Sequence, residues 1–415
     1  MAVEESRLDI LLIGSNFRTC SLDVLERLAI DLTLDRVIQA LYTVCDSYGL
    51  SILFTCNRFE IYLVTDKLDA PRRRIVALFA GVGVSECQFY MMEGREAIKH
   101  LIEVACGLDS LAPGETQILQ QVRDAKFHGV GKYSQVVKEL FVRSYNAARR
   151  IRRAVGIDDS INIGTLAIQL LKARLGASRP VLVVGAGKIG KAVIEGLAQA
   201  GFEEVYVATR NPSSVPQHAK RLVRSVTGLD SIHEILGMVD GVIVATSSKN
   251  YVIDDRVLNG FADGKRLVMI DLSVPRNIDP TLSTNDFVEL YDIEDLKALA
   301  PAPRFSNGNV DVDEMLEKEA DRLFAWLRAI SADDIIRSVR VRAEMLRQRE
   351  LSKALRLLTG SQERDASVLE ALSKSIVNKL LHEPTVRLRR LAASEKGELY
   401  VKLARDLFGL AEPSN

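Results

Sequence analysis

The order of apolar and polar positions divides the chain into three stretches of different rhythm. In the first, short apolar runs alternate with segments of helical spacing. Residues 8–13 are an apolar run closed by Gly14-Ser15-Asn16, which predicts a strand and a turn. Residues 22–29 and 34–45 carry apolar positions at helical intervals. Residues 50–54 and 61–64 read as strands on either side of a polar interruption, Thr55-Cys56-Asn57-Arg58. Residues 72–79 read as helix, 88–92 as strand and 96–108 as helix, followed by longer helical stretches over 115–127 and 134–155. Such an α+β pattern predicts an antiparallel sheet with helices on one face.

The rhythm changes near Gly176. Val181-Leu-Val-Val184 is continuously apolar, as expected of a strand buried on both faces. A glycine-rich turn and a helix to about residue 200 follow, and further strands are predicted at 205–208, 241–245 and 267–271. This is the alternation of a doubly wound α/β fold. Ala300-Pro-Ala-Pro303 and Ser306-Asn-Gly-Asn309 form a joint rich in helix breakers. From Val312 almost to the end the pattern is helical, with Leu316, Leu323, Leu327, Ile330, Leu351, Leu355 and Leu358 in rough helical register. A helical tail with an apolar stripe most simply buries it against a second copy, so dimerisation is expected. The predicted domains are 1–156, 157–300 and 301–415.

Composition narrows the class. Hydrophobic residues make up 47% and charged residues 27% of 415, which excludes a disordered or collagen-like chain. No apolar run reaches the roughly 18 residues of a membrane span, and the N-terminus shows no targeting pattern. The five cysteines contain no C-x-x-C pair and none lies beyond position 106, so neither a disulfide framework nor a metal site is expected, and a cytoplasmic setting is. Lys+Arg and Asp+Glu balance at 55 each, yet the balance is uneven: residues 123–153 hold nine Lys/Arg against two Asp/Glu, and 336–390 hold thirteen against six. Basic runs are commonly solvated helix faces; two on a neutral protein also fit a polyanionic partner.

Gly185-Ala186-Gly187-Lys188-Ile189-Gly190 lies between a predicted strand and a predicted helix. A G-x-G-x-x-G turn there allows a tight bend, close approach of a pyrophosphate and close helix–strand packing, with the helix N-terminus facing phosphate; the alternative is a structural turn. An NAD site places an acid at the end of the second strand. Here that strand ends Ala208-Thr209-Arg210-Asn211, with a cation instead. Arg pairs with a 2′-phosphate, so NADPH is the expected cofactor, read by Arg210 beside Thr209.

Cys56 sits beside a cation at a turn, a setting that lowers a thiol pKa; the competing reading is a small core filler. His100 lies on a partly apolar helix and is a packing residue or a catalytic one. Gly107-Leu108-Asp109-Ser110 ends that helix, and Gly114-Glu115-Thr116-Gln117 opens the next with polar side chains lacking an evident core role.

Together these strings resemble the glutamyl-tRNA reductases, NADPH-dependent enzymes that begin tetrapyrrole synthesis from charged tRNA. The resemblance rests on Thr55-Cys56-Asn57-Arg58-Phe59-Glu60, on residues 107–110 with 114–119, on the glycine loop, on Val274-Pro275-Arg276-Asn277-Ile278-Asp279-Pro280, and on Lys379-Leu-Leu-His382-Glu383-Pro384-Thr385-Val386-Arg387. It implies a catalytic, glutamyl-tRNA-binding domain, an NADP-binding domain and a helical dimerisation domain. It further implies Cys56 as nucleophile and His100 near the reacting centre. Thr55, Asn57, Arg58, Ser110, Glu115, Thr116, Gln117 and Gln121 would line the glutamate pocket. The chain departs from the family at Asn16-Phe17-Arg18-Thr19-Cys20-Ser21, where a histidine and a proline are replaced, and at Thr116, where the family has proline.

The implied chemistry is reduction of glutamyl-tRNA(Glu) to glutamate-1-semialdehyde through a cysteinyl thioester, since a thioester accepts hydride better than an ester does. Arg58 is expected to pair with the substrate's free carboxylate. Expected partners are the tRNA, a second copy of the chain and, given an unstable aldehyde product, a docked aminomutase, but neither DNA nor a membrane. The competing readings are a catalytically impaired tRNA-binding or regulatory paralogue, and a Rossmann oxidoreductase acting on a small carbonyl compound.

Overall fold

A strand buried on both of its faces lies at the centre of the N-terminal domain. In the computed structural model, which describes residues 8–55, 57–109, 116–131, 133–156, 162–215, 223–258, 265–299, 310–357, 363–394 and 396–410, this part of the chain runs β1 (Asp9–Asn16), α1 (Leu22–Asp31), α2 (Leu34–Tyr42), β2 (Tyr48–Phe54), β3 (Arg58–Thr65), α3 (Asp69–Gly81), β4 (Tyr90–Glu93), α4 (Gly94–Cys106), α5 (Thr116–Arg123), β5 (Phe127–Val130) and α6 (Tyr133–Val155). The sheet order is β4-β1-β3-β2-β5, with antiparallel pairing throughout.

Two expectations are corrected here. Helices cover both faces of this sheet, not one. Ile10, Leu12, Tyr62 and Val64 pack with α4, α5 and α6, while Leu11, Ile13, Ile61 and Leu63 pack with α1, α2 and α3. The sign was already in β3, which stays apolar beyond Glu60 without alternating, as strands covered on both sides do. The predicted helix over 115–127 also stops early, and Phe127–Val130 is an edge strand that pairs with β2.

The second domain contains α7 (Ile163–Leu175), β6 (Val181–Val184), α8 (Lys188–Gln199), β7 (Val205–Ala208), β8 (Val223–Thr227), α9 (Ile232–Leu236), β9 (Gly241–Val244), α10 (Asp255–Leu258), β10 (Leu267–Asp271), β11 (Val288–Tyr291) and α11 (Ile293–Leu299). Its strands are all parallel in the order β8-β7-β6-β9-β10-β11. Strand order reverses between β6 and β9, which opens a crevice at their carboxyl ends where dinucleotides bind in such sheets. The edge strands β8 and β11 escaped the sequence reading, because both are short and half-exposed.

Among the described residues three helices follow: α12 (Val312–Leu357), α13 (Glu363–Ala392), which continues through Pro384, and α14 (Gly397–Leu407). The start of α12 does not stand apart. Leu316, Ala320, Leu323 and Leu327 belong to the same apolar core as α4 and α6. Lys99 Nζ reaches Glu317 at 2.7 Å, and Arg150 meets Glu319 at 2.8 Å. Beyond it, Ile335, Ile336 and Val339 pack with Leu388, Ala392 and Ala404. Val341 and Met345 on α12, and Val368, Leu372, Ile376 and Leu380 on α13, remain exposed. Among the described residues no helix is long and apolar enough to cross a membrane.

Candidate active site

The tight turn joining β2 to β3 carries the thiol motif. The Arg58 carbonyl accepts from the Thr55 amide at 3.0 Å, the Thr55 hydroxyl accepts from the Asn57 amide at 3.1 Å, and the Asn57 carbonyl accepts from the Phe17 amide at 3.0 Å. Thr55, Asn57 and Arg58 are all buried. Antiparallel pairing sets Arg58 opposite Asn16, so the end of β1 and the turn after it lie against the motif.

Arg58 and Glu60 are two apart on β3 and therefore share a face. Both side chains are fully buried, an arrangement that is costly unless each charge is paired and hydrogen-bonded. Glu60 meets that requirement with every neighbour in reach. Its Oε1 accepts from Arg58 at 2.9 Å, from His100 Nε2 at 2.7 Å and from the Tyr90 hydroxyl, and its Oε2 accepts from the Tyr62 hydroxyl at 2.8 Å. Burial alone would raise the Glu60 pKa, but Arg58 and His100 outweigh it and hold the carboxyl well below the usual carboxylate range. Burial and the Glu60 charge push Tyr62 and Tyr90 up, so both phenols stay protonated as donors. Arg58 also meets Asp109 at the end of the α4 segment, through a 3.0 Å ion pair and a bond to the Asp109 carbonyl. Two buried polar atoms of the motif, Asn57 Oδ1 and Arg58 Nε, have no hydrogen-bond partner among the described residues. Unsatisfied groups of this kind are uncommon and fit a site that takes a polar ligand.

The second half of the site is the crevice at β6. The Gly185 amide donates to the Ala208 carbonyl at 2.8 Å, and Gly185 has a φ of 101°. A Cβ on Gly190 would lie 2.0 Å from the Gly185 carbonyl oxygen, so only glycine lets α8 approach this closely. At Gly187, by contrast, no atom of the described residues beyond its immediate chain neighbours lies within 4 Å of where a Cβ would sit. The N-terminus of α8 has no side-chain cap, leaving backbone N–H groups for an anion. Thr209 is buried and Arg210 exposed just beyond β7. These residues fit a dinucleotide.

Comparison with known proteins joins the two halves. Residues 13–155 match the family described as "Glutamyl-tRNAGlu reductase, N-terminal domain", 167–299 match "Shikimate / quinate 5-dehydrogenase", and 311–410 match "Glutamyl-tRNAGlu reductase, dimerisation domain". The chain is 31% identical to glutamyl-tRNA reductase of Pelotomaculum thermopropionicum, over 97% of this chain and 95% of that one. It is likewise 31% identical to glutamyl-tRNA reductase of Brevibacillus brevis, over 98% and 93%. The chain belongs to the glutamyl-tRNA reductase family. The structure of glutamyl-tRNA reductase from Methanopyrus kandleri aligns with 24% identity and a TM-score of 0.47, over 97% of this chain and 99% of that one. Because the matches include the domains flanking the nucleotide fold, a generic oxidoreductase for small carbonyl compounds is disfavoured. The middle domain is of a kind that takes a nicotinamide cofactor.

For a glutamyl-tRNA reductase, the predicted site residues fall as follows. Cys56, Ser110 and Glu115 lie outside the described residues. Thr116 and Gln117 form the first turn of α5, where only the backbone is described, and Gln121 is half-buried one turn on. Thr55, Asn57, Arg58 and His100 come together. The carboxylates that face Arg58 in this structure are the protein's own Glu60 and Asp109. Glu60, Tyr62, Tyr90 and Asp109 were not read from the sequence as site residues. The available signal was a glutamate two residues from an arginine in an otherwise apolar strand. Among the other cysteines, burial pushes the Cys106 thiol up to about 12, which makes it inert. The arginine run on α6 is also less of a free surface than its sequence implies. Arg152 is buried and donates to the Cys106 carbonyl at 2.7 Å, and Arg150 pairs with Glu319, leaving Arg149 and Arg153 exposed.

Proposed function

We propose that this chain reduces glutamyl-tRNA(Glu) to glutamate-1-semialdehyde, with NADPH as reductant, as a homodimer in the cytoplasm. The observation that carries the reading is the near full-length family match combined with a buried Glu60–His100–Arg58 cluster directly beside the Thr55–Arg58 turn.

In this reading the Cys56 thiolate attacks the carbonyl carbon of the aminoacyl ester. A carbon–sulfur bond forms, the ester carbon–oxygen bond breaks, and the tRNA leaves with its ribose hydroxyl restored. His100, with Nε2 committed to Glu60, keeps Nδ1 for the substrate and supplies or relays the proton that the departing oxygen needs. Arg58 takes the glutamyl side-chain carboxylate in place of Asp109, an exchange of one ion pair for another that a neutral glutamine side chain does not drive. Thr55, Asn57, Ser110, Glu115, Thr116, Gln117 and Gln121 complete the pocket. Residues 185–190 would hold the pyrophosphate of NADPH, and Thr209 with Arg210 its 2′-phosphate, where it would supply the hydride for the thioester. Collapse of the reduced adduct releases the aldehyde and returns the thiolate. That product's reactivity makes a docked aminomutase a reasonable partner. The exposed stripes of α12 and α13 are the surface offered to the second copy.

The test supplies the full chain with glutamyl-tRNA and NADPH. NADPH consumption with aldehyde formation is expected, together with a glutamyl adduct on Cys56 when reductant is withheld. Wild-type protein that forms neither, or a Cys56→Ser variant that keeps full activity, refutes the reading.

A further inference from the structure

The Val274–Pro280 segment is among the strings that mark the family, yet nothing in the chemistry above uses it. The geometry points to Arg276 as a positioning residue: it latches the nucleotide domain onto helix α1 and so sets the nicotinamide crevice against the thiol turn. This deepens the proposed reduction and rests on that reading.

Two rigid supports meet at the latch. On the nucleotide side, Asp271 ends β10 and is buried, and its carboxylate accepts the amides of Ser273 at 2.9 Å, Asn277 at 2.6 Å and Ile278 at 2.8 Å. The Asn277 side chain donates in turn to the carbonyls of Ser248 at 3.0 Å and Asn250 at 3.3 Å. The loop carrying Arg276 is thereby fixed to the carboxyl ends of the central strands, the edge at which such sheets bind dinucleotides. On the catalytic side, α1 follows the turn after β1, and that turn is tied to the thiol motif by the bond from the Phe17 amide to the Asn57 carbonyl.

Arg276 bridges the two. Its Nε and Nη2 each lie 3.1 Å from Glu26, one on either carboxylate oxygen, its backbone amide donates to the same group, and its Nη2 also reaches Asp23. The guanidinium and Glu26 are both mostly enclosed, with 18% and 14% side-chain exposure, so solvent screens this pair less than a surface one. Phe17, in the turn before α1, packs on the core of the nucleotide domain. Hydride transfer requires donor and acceptor held in near contact, which makes it sensitive to domain placement. Acyl transfer from tRNA to the thiol is complete within the catalytic domain and is not.

The two steps therefore separate in a test on full-length protein. Arg276→Ala is expected to slow NADPH-dependent aldehyde formation about tenfold, the scale of one good charge pair. NADPH-independent release of glutamate from the tRNA, and NADPH affinity, should stay within about twofold, which on that scale is close to no change. Reversing both charges, Glu26→Arg with Arg276→Glu, should recover part of the loss that either change causes alone. Equal losses in both activities, or no loss in either, overturn the latch. Hydrogen exchange reads docking without catalysis: in Arg276→Ala, peptides covering 17–31 and 272–279 should lose protection together while the strands of both sheets keep theirs. Unchanged protection overturns the proposal even if the wild type proves inactive on glutamyl-tRNA, an outcome that would sink the proposed reaction instead.

Discussion

Glu60 and His100 meet at 2.7 Å, Oε1 to Nε2, at a point where Glu60 is fully buried and already paired with Arg58. A carboxylate can only accept, so the proton on that contact belongs to His100, and the ring presents Nδ1 elsewhere. The orientation of the imidazole is thus set from the strand that follows the thiol turn.

Replacing this carboxylate separates its two duties. Glu60→Gln keeps the shape but weakens the hold on His100, and a loss of about tenfold to a hundredfold in turnover is expected, part of what general acid–base catalysis contributes. Glu60→Ala leaves Arg58 short of its main partner and should cost about 3–5 kcal/mol of stability in denaturant unfolding. Because the folded pKa of Glu60 is lowered, its stabilisation is fully present above the ordinary carboxylate pKa and is lost as pH falls toward the lowered value. Glu60→Gln should flatten that acid limb, and an unaltered limb would show that other groups carry it.

Cofactor choice is tested at Arg210. Losing a charge-assisted contact worth about 1.5–3 kcal/mol corresponds to roughly a tenfold to hundredfold drop. Arg210→Ala should therefore lower kcat/KM for NADPH by that factor and leave the value for NADH nearly unchanged. The ratio measured in parallel assays checks it.

The glycine loop yields a contrast within one motif. Gly190→Ala places a Cβ on the Gly185 carbonyl and should destabilise the fold by about 1–3 kcal/mol, the usual cost of overpacking. Gly187→Ala meets no described residue beyond its chain neighbours and should melt like wild type, yet bind NADPH more weakly because the added methyl group occupies ligand space. Thermal melts and cofactor titration of the two variants separate these effects.

Burial raises Asp271 from 3.8 to about 6, against the pull of the three amides it accepts. The folded state therefore holds a proton that the unfolded state has lost between those values. Stability should fall as pH rises through this window, by an amount on the order of 3 kcal/mol at about 1.4 kcal/mol per pH unit. In Asp271→Asn the decline should disappear from unfolding curves measured between about pH 4 and 6.

The exposed stripe on α13 is tested by charge. Leu372→Asp with Leu380→Asp removes two large apolar side chains, each worth about 1.5–3 kcal/mol when buried. Sedimentation should then report monomer at micromolar concentration, while the helical signal and the core around Ile335 and Leu388 are kept. A persistent dimer would place the contact elsewhere.

The sequence by itself determined whatever depends on local order. Val181–Val184 read as a covered strand because four apolar residues run directly into a glycine-rich stretch, and the Gly-x-Gly-x-x-Gly spacing of residues 185–190 read as a tight turn before a helix. The thiol motif, its arginine and the neighbouring histidine were legible as residue types suited to the chemistry. Only the tertiary structure decided what those residues touch. It enclosed Arg58 between Glu60 and Asp109, 51 residues apart in chain position from the latter, and brought His100 onto Glu60 from a helix 40 residues away. It also placed Arg276 against Glu26 across 250 residues, took Arg152 from the surface into the core, and covered the second face of the N-terminal sheet. The reason is common to all of these. Backbone periodicity is written in neighbours, whereas the pairing of buried charge is fixed by which elements pack together, and an unpaired charge inside a protein costs too much to persist.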